Sequence, residues 1–430
     1  MKKKILIIIT PAINVTFLDI FKKEIRDARI SYKIFKPPFC ALTLPVQASL
    51  YTGQAPQKTG IVANGLYFEK IKSVSFWNQS YKLIEAEPFW KNKNLKVALI
   101  FMQLSLGSSS DIIVTPKPVH THHGGMIDYC YTKPFQLADE LTKAFGPFKL
   151  KWYWGPFVSI KASLWIKNAT IYILRNYKPD IAFTYIPHMD YISQKVGYKD
   201  NFTTSAELKK VIEIVKELLE ISEVLGYDCI ILSDYGADFV EKVYYPNKIL
   251  KENGFLKTYK VKKYEYIDYY ESDAFALCDH QIAYIFCKEN IKNELYRLYK
   301  AQYTRCDVFN DNELIELGLY HKNMGKIAMF AKQSWFSYKW WGKDDEGPDY
   351  KKYIDIHRKD GYDPLELFFD FYRFGIAQDD NLIRMSMGNG FLESAKGIFI
   401  SKLTYNSDYF TLRDEIYTYE IVEYLLSILD

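Results

Sequence analysis

The sequence is poor in the features that would place it quickly. Its six cysteines (Cys40, Cys130, Cys229, Cys278, Cys287, Cys306) form no CxxC pair. That excludes the common paired-thiol zinc and redox motifs, and it reads as reduced thiols in a cytoplasmic protein. No apolar run approaches the ~20 residues a membrane helix needs, so no span is expected. The opening MKKKILIIIT has three lysines before an apolar stretch, but the stretch is short, Pro11 interrupts it, and no small-residue cleavage site follows. A buried first strand, Ile5–Ile9, is the expectation there, not an export signal. Neither charge sign dominates. Lys+Arg 56 against Asp+Glu 52 leaves +4, too little for a general affinity for nucleic acid. Internal repeats and low-complexity linkers are absent too.

What is present is an ordinary globular composition, 48% hydrophobic and 25% charged, with abundant Tyr and Phe. A chain of 430 residues is long for one domain, so a main domain with an inserted cap is expected. Apolar β-rich runs alternate with amphipathic segments. Strands are predicted at Ile5–Ile9, 96–101, 111–114, 180–185 and Asp228–Leu232, and helices at 17–28, 134–145, 160–177 and 205–225. The last is the clearest: Leu208, Val211, Ile212, Val215, Leu218 and Leu219 fall on one helical face, and Gly226 ends it. Strand–helix–strand order implies a parallel sheet with right-handed crossovers, and ligands sit beyond the carboxyl ends of such strands. Residues 251–340 have a different texture, rich in Lys, Tyr and Glu, and read as the inserted cap. That makes 1–250 the core and 341–430 the return to it, with a final strand at 397–400 and helix at 416–429.

The stretch organising the chain is TLPVQASLYTGQAPQKTGIVAN, Thr43 to Asn64. A hydroxyl sits just outside the N-terminus of a short helix expected over 46–51, where free N–H groups and the helix dipole face an anion. That suits a nucleophile attacking a phosphate ester; an N-capping threonine is the plain alternative. The stretch resembles the nucleophile segment of the alkaline phosphatase superfamily, in its type I phosphodiesterase/nucleotide pyrophosphatase branch. Thr43, Pro45, Ser49, Thr52, Gly53, Pro56, Gly60, Ile61, Val62 and Asn64 fall in register without a gap. The family's Asn-His after the proline is Val46-Gln47 here. The resemblance implies an alkaline-phosphatase-like three-layer α/β sandwich with a mostly parallel central sheet. It implies Thr43 as nucleophile and metal ligand, and Asn64 as donor to the transferring phosphoryl group.

It also implies two divalent cations, about 4 Å apart, held by carboxylates and imidazoles. Asp190, after Tyr185-Ile186-Pro187, matches the family's strand-end Asp; four residues on, its His is replaced by Gln194. Asp234 matches an Asp-His pair whose His is Tyr235 here, and the early Asp at the end of the first strand is missing. One metal site is therefore eroded. The distant His is either His357, in His-Arg-Lys-Asp-Gly-Tyr-Asp, or a position now occupied by Asn389. Asp355 or Asp363 could join His357, or could serve turns and caps. His188 and His280, the latter in the one Asp-His pair of the chain, could complete a shell. Zinc is the expected ion, with manganese as the alternative.

His120, His122 and His123 have ligand-like spacing but read better as a solvated loop, and His321 has no nameable partner. Trp341, in the aromatic run from Trp335, is expected either to stack a flat group at the site or to pack in the cap. Gln194 and Tyr235 are expected to face substrate. The functional expectation is a metal-dependent phosphodiesterase or pyrophosphatase-like hydrolase of a small phosphoester, working through a phospho-threonine. The competing expectation is an eroded relative that binds a phosphorylated ligand or partner without turnover. A phosphomonoesterase or phosphonate hydrolase on the same site is a third.

Overall fold

The computed structural model describes residues 3–122, 126–199, 201–342, 346–405 and 407–429; His123 lies outside them. The centre of the molecule is a nine-stranded sheet. Its strands are β1 (Ile5–Ile9), β2 (Ile30–Phe35), β3 (Val97–Ile100), β4 (Ile112–Pro116), β5 (Cys130–Lys133), β6 (Ile181–Tyr185), β7 (Asp228–Leu232), and two late ones at Gly397–Lys402 and Glu415–Ile416. Across the sheet the order is β5, β4, β3, β6, β1, β7, Gly397–Lys402, β2, Glu415–Ile416. The ILIII run of β1 is fully buried because β6 and β7 flank it in parallel and helices cover its faces.

Helix α1 (Thr43–Thr52) precedes β3, α2 (Ile160–Asn176) precedes β6, and α3 (His188–Lys195) with α4 (Asn201–Val224) lies between β6 and β7. Helix α5 (Thr418–Leu429) closes the chain and packs on α1. Gly53 ends α1 in the left-handed region at φ 69°, where an added Cβ would come within 3.2 Å of Val422.

The sheet is less uniform than alternating elements suggest. Five pairings are parallel, but Gly397–Lys402 runs antiparallel to both β7 and β2, and β5 runs antiparallel to β4. The helix expected over 17–28 spans only Leu18–Glu24, because Ile25 turns extended. Ile416, expected in the last helix, pairs with Phe35 as a strand.

A second sheet comes from the segment with different texture. Strands β8 (Ala274–Asp279), β9 (Ile282–Cys287), β10 (Cys306–Asn310) and β11 (Ile327–Ala331) form an antiparallel sheet in the order β8, β9, β11, β10. Among the described residues no helix is long and apolar enough to cross a membrane.

Candidate active site

The carboxyl ends of β6 and β7 lie on either side of β1, and the chain leaving each carries an acid. Beyond β6, Pro187 turns into α3 and places Asp190 in its first turn. Beyond β7 come Ser233, Asp234 and Tyr235, all buried. Helix α1 brings Thr43 to the same place. Its hydroxyl lies 3.0 Å from the Tyr235 phenol, whose O–H donates to Asp190 Oδ1 at 3.2 Å. With the phenol proton committed to Asp190, Thr43 donates its own to the Tyr235 oxygen, which leaves a lone pair of Oγ1 for the cavity. Burial, then the charges of Asp190, Tyr185 and Asp234, push the Tyr235 pKa well above the ordinary tyrosine range, so it stays a neutral donor. Tyr185 faces the same hydroxyl and is raised likewise by burial and the Asp234 and Asp190 charges.

The two acids differ in how they are satisfied. Asp190 Oδ2 accepts from Gln194 Nε2 at 3.0 Å, and Gln194 Oε1 accepts from Tyr362 at 2.6 Å. Burial lifts Asp190 to about 6, against the pull of His280, Tyr235 and Gln194. Asp234 is fully buried, and neither of its oxygens has a hydrogen-bond partner of good geometry. Burial and the nearby Asp190 charge raise its pKa well above the carboxylate range.

The entry of α1 departs from the expectation. Thr43 is the first residue of the helix, behind the extended Leu42, not a cap outside it. The Leu44 N–H donates to Asn64 Oδ1 at 3.1 Å, and Pro45 has no N–H, so the helix end offers few amides to a phosphoryl group. Asn64 is itself committed. Its backbone N–H donates to Asp279 Oδ2 at 2.6 Å and its Nδ2 to Asp279 Oδ1 at 3.4 Å. It braces the nucleophile turn, and its amide is not aimed at the cavity.

Asp279 ends β8, and the two-residue turn to β9 begins with His280 in the left-handed region at φ 54°. That turn points the imidazole inward. His280 Nδ1 sits 2.7 Å from Asp279 Oδ1, and its ring stacks on Tyr362 at 3.6 Å and 17°. Gly361 has no room for a side chain, because an added Cβ would lie 2.3 Å from Tyr338 Cβ. This close approach sets Tyr362 under the histidine.

These groups open into a cavity of about 330 Å³. Thr43, Tyr235, Asp190, His280 and Tyr362 line its inner end; Trp77, Met126, Ile354, Asp355 and His357 are among its other walls. The remaining expected ligands are placed elsewhere. His188 turns to Glu207, 2.7 Å away, because α3 starts at that residue and points it toward α4. His357 lines the cavity, but its Nδ1 faces the Phe76 carbonyl at 3.3 Å and its ring faces His120, not the acids. Asn389 pairs with Cys40 beside Ala41 and donates to the Ala331 carbonyl at 2.9 Å. Trp341 does not reach the cavity; it packs edge-on against Trp340 and Tyr338. Gln194 spends both ends of its amide on Asp190 and Tyr362, so it orients the acid and does not face substrate. Asp363 accepts from Lys359 at 2.7 Å and from the Leu365 N–H, the capping work that was its plainer reading.

The resemblance implies divalent cations at these positions. The two buried Asp234 oxygens, without a hydrogen-bond partner of good geometry and close enough to Asp190 to feel its charge, fit one cation bound through oxygen. They do not fit two zinc sites rich in imidazole. Among the described residues no group of three or more His, Cys, Asp and Glu side chains has ligand geometry.

Several contributors were not anticipated. Asp279 was read only as half of an Asp-His pair. Tyr185 and Tyr362 lie inside matched segments but were given no role of their own; Tyr153 and Trp154 carry no motif, and the signal that could have found them is the dense KWYWGPF run, residues 151–157.

Comparison with known proteins bears on the family and the fold. The sequence profile of the type I phosphodiesterase/nucleotide pyrophosphatase family matches residues 22–363. Among solved structures, phosphonoacetate hydrolase from Sinorhizobium meliloti superposes with a TM-score of 0.62 at 14% identity, over 100% of this chain and 96% of that one. Murine ectonucleotide pyrophosphatase/phosphodiesterase 5 gives 0.60 at 13% identity, over 99% and 95%. The human form gives 0.59 at 11% identity, over 99% and 95%. Direct sequence comparison with curated proteins finds no match. With its fold shared along the whole chain and its profile matched over most of it, the protein belongs to the type I phosphodiesterase/nucleotide pyrophosphatase family and is a hydrolase of that class.

Proposed function

We propose that the protein hydrolyses a small phosphoester through a phospho-threonine at Thr43. The observation that carries this reading is the chain Thr43–Tyr235–Asp190 at the inner end of an accessible cavity. Thr43 Oγ1 attacks phosphorus, and its proton passes through the Tyr235 phenol to Asp190. Burial has raised that carboxylate to about 6, which makes it a usable base near neutral pH. The bond to the leaving oxygen breaks, water protonates that oxygen, and the remaining hydroxide attacks the phospho-threonine. The P–Oγ1 bond then breaks, Oγ1 recovers the proton from Asp190, and a phosphate monoester leaves.

Asp234, Asp190 and Thr43 are the residues that would hold a divalent cation. When bound, such an ion supplies Lewis-acid stabilisation of charge on the transferring phosphoryl group. An all-oxygen donor set favours manganese or magnesium over the zinc expected from the sequence. In this reading residues 251–340 work as a cap that delivers His280 to the cavity. The test is Thr43→Ala with bis(4-nitrophenyl) phosphate: turnover should vanish while the chain still takes up metal, more weakly, through Asp190 and Asp234, and undiminished turnover would refute the assignment.

A second reading, a binder without turnover, is favoured by one observation: the imidazoles expected as ligands are turned to other partners. It requires that the purified protein take up no metal from supplemented medium and leave aryl phosphodiesters intact.

A further inference from the structure

The outer half of the cavity differs from its reacting end. Trp77, Met126, Ile354 and Ile356 line it, and apolar surface predominates over the cavity as a whole. Its charged groups are mostly acidic. Among the described residues, Asp128 and Asp355 line the cavity against one lysine, Lys151, and Asp355 Oδ1 is buried without a hydrogen-bond partner. Burial holds His357 below the ordinary histidine pKa, so it adds no positive charge at neutral pH.

A ligand that put further phosphates here would meet two carboxylates and apolar walls. A cation held at Asp234 would not relieve this, because it would sit at the reacting end. The apolar surface also continues outward. Phe157, a cavity-lining residue 56% exposed, packs on Phe369 at 5.9 Å, and Phe369 on Phe371 at 5.0 Å. Phe371 and Tyr372 stand 70% and 99% exposed at the tip of the hairpin that follows. Exposed aromatics continuous with a cleft mark a ligand-contacting surface.

We infer that the substrates are phosphodiesters carrying one negative charge and a large apolar ester arm, which fills the outer half and leaves over Phe157, and that nucleoside polyphosphates are disfavoured. This rests on Thr43 marking the reacting end, but it is read by binding and not by turnover, so the two can fail separately. Calorimetric titration of the full-length Thr43→Ala chain, which the proposed mechanism leaves unable to turn the esters over, compares diphenyl phosphate, octyl phenyl phosphate and ATP with manganese present.

Diphenyl phosphate should bind at least about tenfold tighter than ATP, and the octyl ester tighter still. Phe157→Ser should remove most of the gain from the octyl arm. Ile354→Lys, at a half-exposed position that tolerates charge, should narrow the gap to ATP by weakening the esters and strengthening the nucleotide. ATP binding as tightly as diphenyl phosphate, or an octyl gain that survives Phe157→Ser, would overturn the inference.

Discussion

The hydroxyl of Thr43 and the phenol of Tyr235 are 192 residues apart in sequence and 3.0 Å apart in space. The contact sets the direction of the nucleophile's proton, since the phenol already donates to Asp190. Tyr235 stands where the family pattern has histidine, and here it does hydrogen-bonding work between two groups that a cation could also join.

Replacing Tyr235 with Phe removes only that oxygen. Turnover of bis(4-nitrophenyl) phosphate is expected to fall about 100-fold in kcat, with KM changed little, as for loss of one proton-transfer partner. Steady-state kinetics of the two proteins decide the matter. Equal kcat values would leave the phenol as packing.

Stability should depend on pH through the two buried acids. Asp190 is raised from 3.8 to about 6, so the native state holds a proton that the unfolded chain releases earlier. Stability therefore falls as pH rises between those values, by on the order of 3 kcal/mol at most. Asp234 is shifted the same way and extends the loss upward. Metal-free protein should melt higher at pH 5 than at pH 8. Asp234→Asn should flatten the slope and raise the melting temperature at pH 8. Manganese at pH 8 should stabilise the wild-type chain and not this variant.

Asp279 holds the nucleophile turn from outside the main sheet, through the Asn64 N–H and amide. Asp279→Ala leaves that buried N–H unpaired and should cost about 1–3 kcal/mol of unfolding free energy. Asp279→Asn keeps one acceptor and should recover part of both stability and kcat. Denaturant melts alongside kinetics separate these outcomes.

Lys359 is almost wholly buried and bonds Asp363 at 2.7 Å and Glu366 at 2.8 Å. Glu366 in turn accepts from the Trp154 indole at a cavity wall. Lys359→Met strands two buried acids and should destabilise the fold by about 3–5 kcal/mol. Urea unfolding at pH 7 measures it directly.

The sequence was most legible where burial dictates it. Ile5–Ile9 and Asp228–Leu232 are strands at those residues because apolar runs bounded by polar ends have little alternative in a core. Asp190 and Asp234 were readable because each follows such a run, and strand ends converge in a parallel sheet, whereas Thr43 follows Cys40–Ala41, which pairs with Gly388–Asn389 outside the nine-stranded sheet, and was readable only through its motif. The direction of a side chain was not readable. His188 is the first residue of α3, and that start turns its ring to Glu207 and not to the acids. The antiparallel strand Gly397–Lys402 gave no sign of its direction, since a long connection and not a hairpin precedes it. Tyr362 stood in a matched segment, but its place under His280 was not readable because it depends on the absent side chain of Gly361 against Tyr338, a tertiary contact.

Acid-quenched single turnover of bis(4-nitrophenyl) phosphate, followed by mass spectrometry of the peptide containing residue 43, tests the nucleophile most directly. A 4-nitrophenyl phosphoryl adduct on Thr43, absent from the Thr43→Ala protein, is the expected result. Continued hydrolysis with residue 43 unmodified, or an adduct at another hydroxyl, would contradict it.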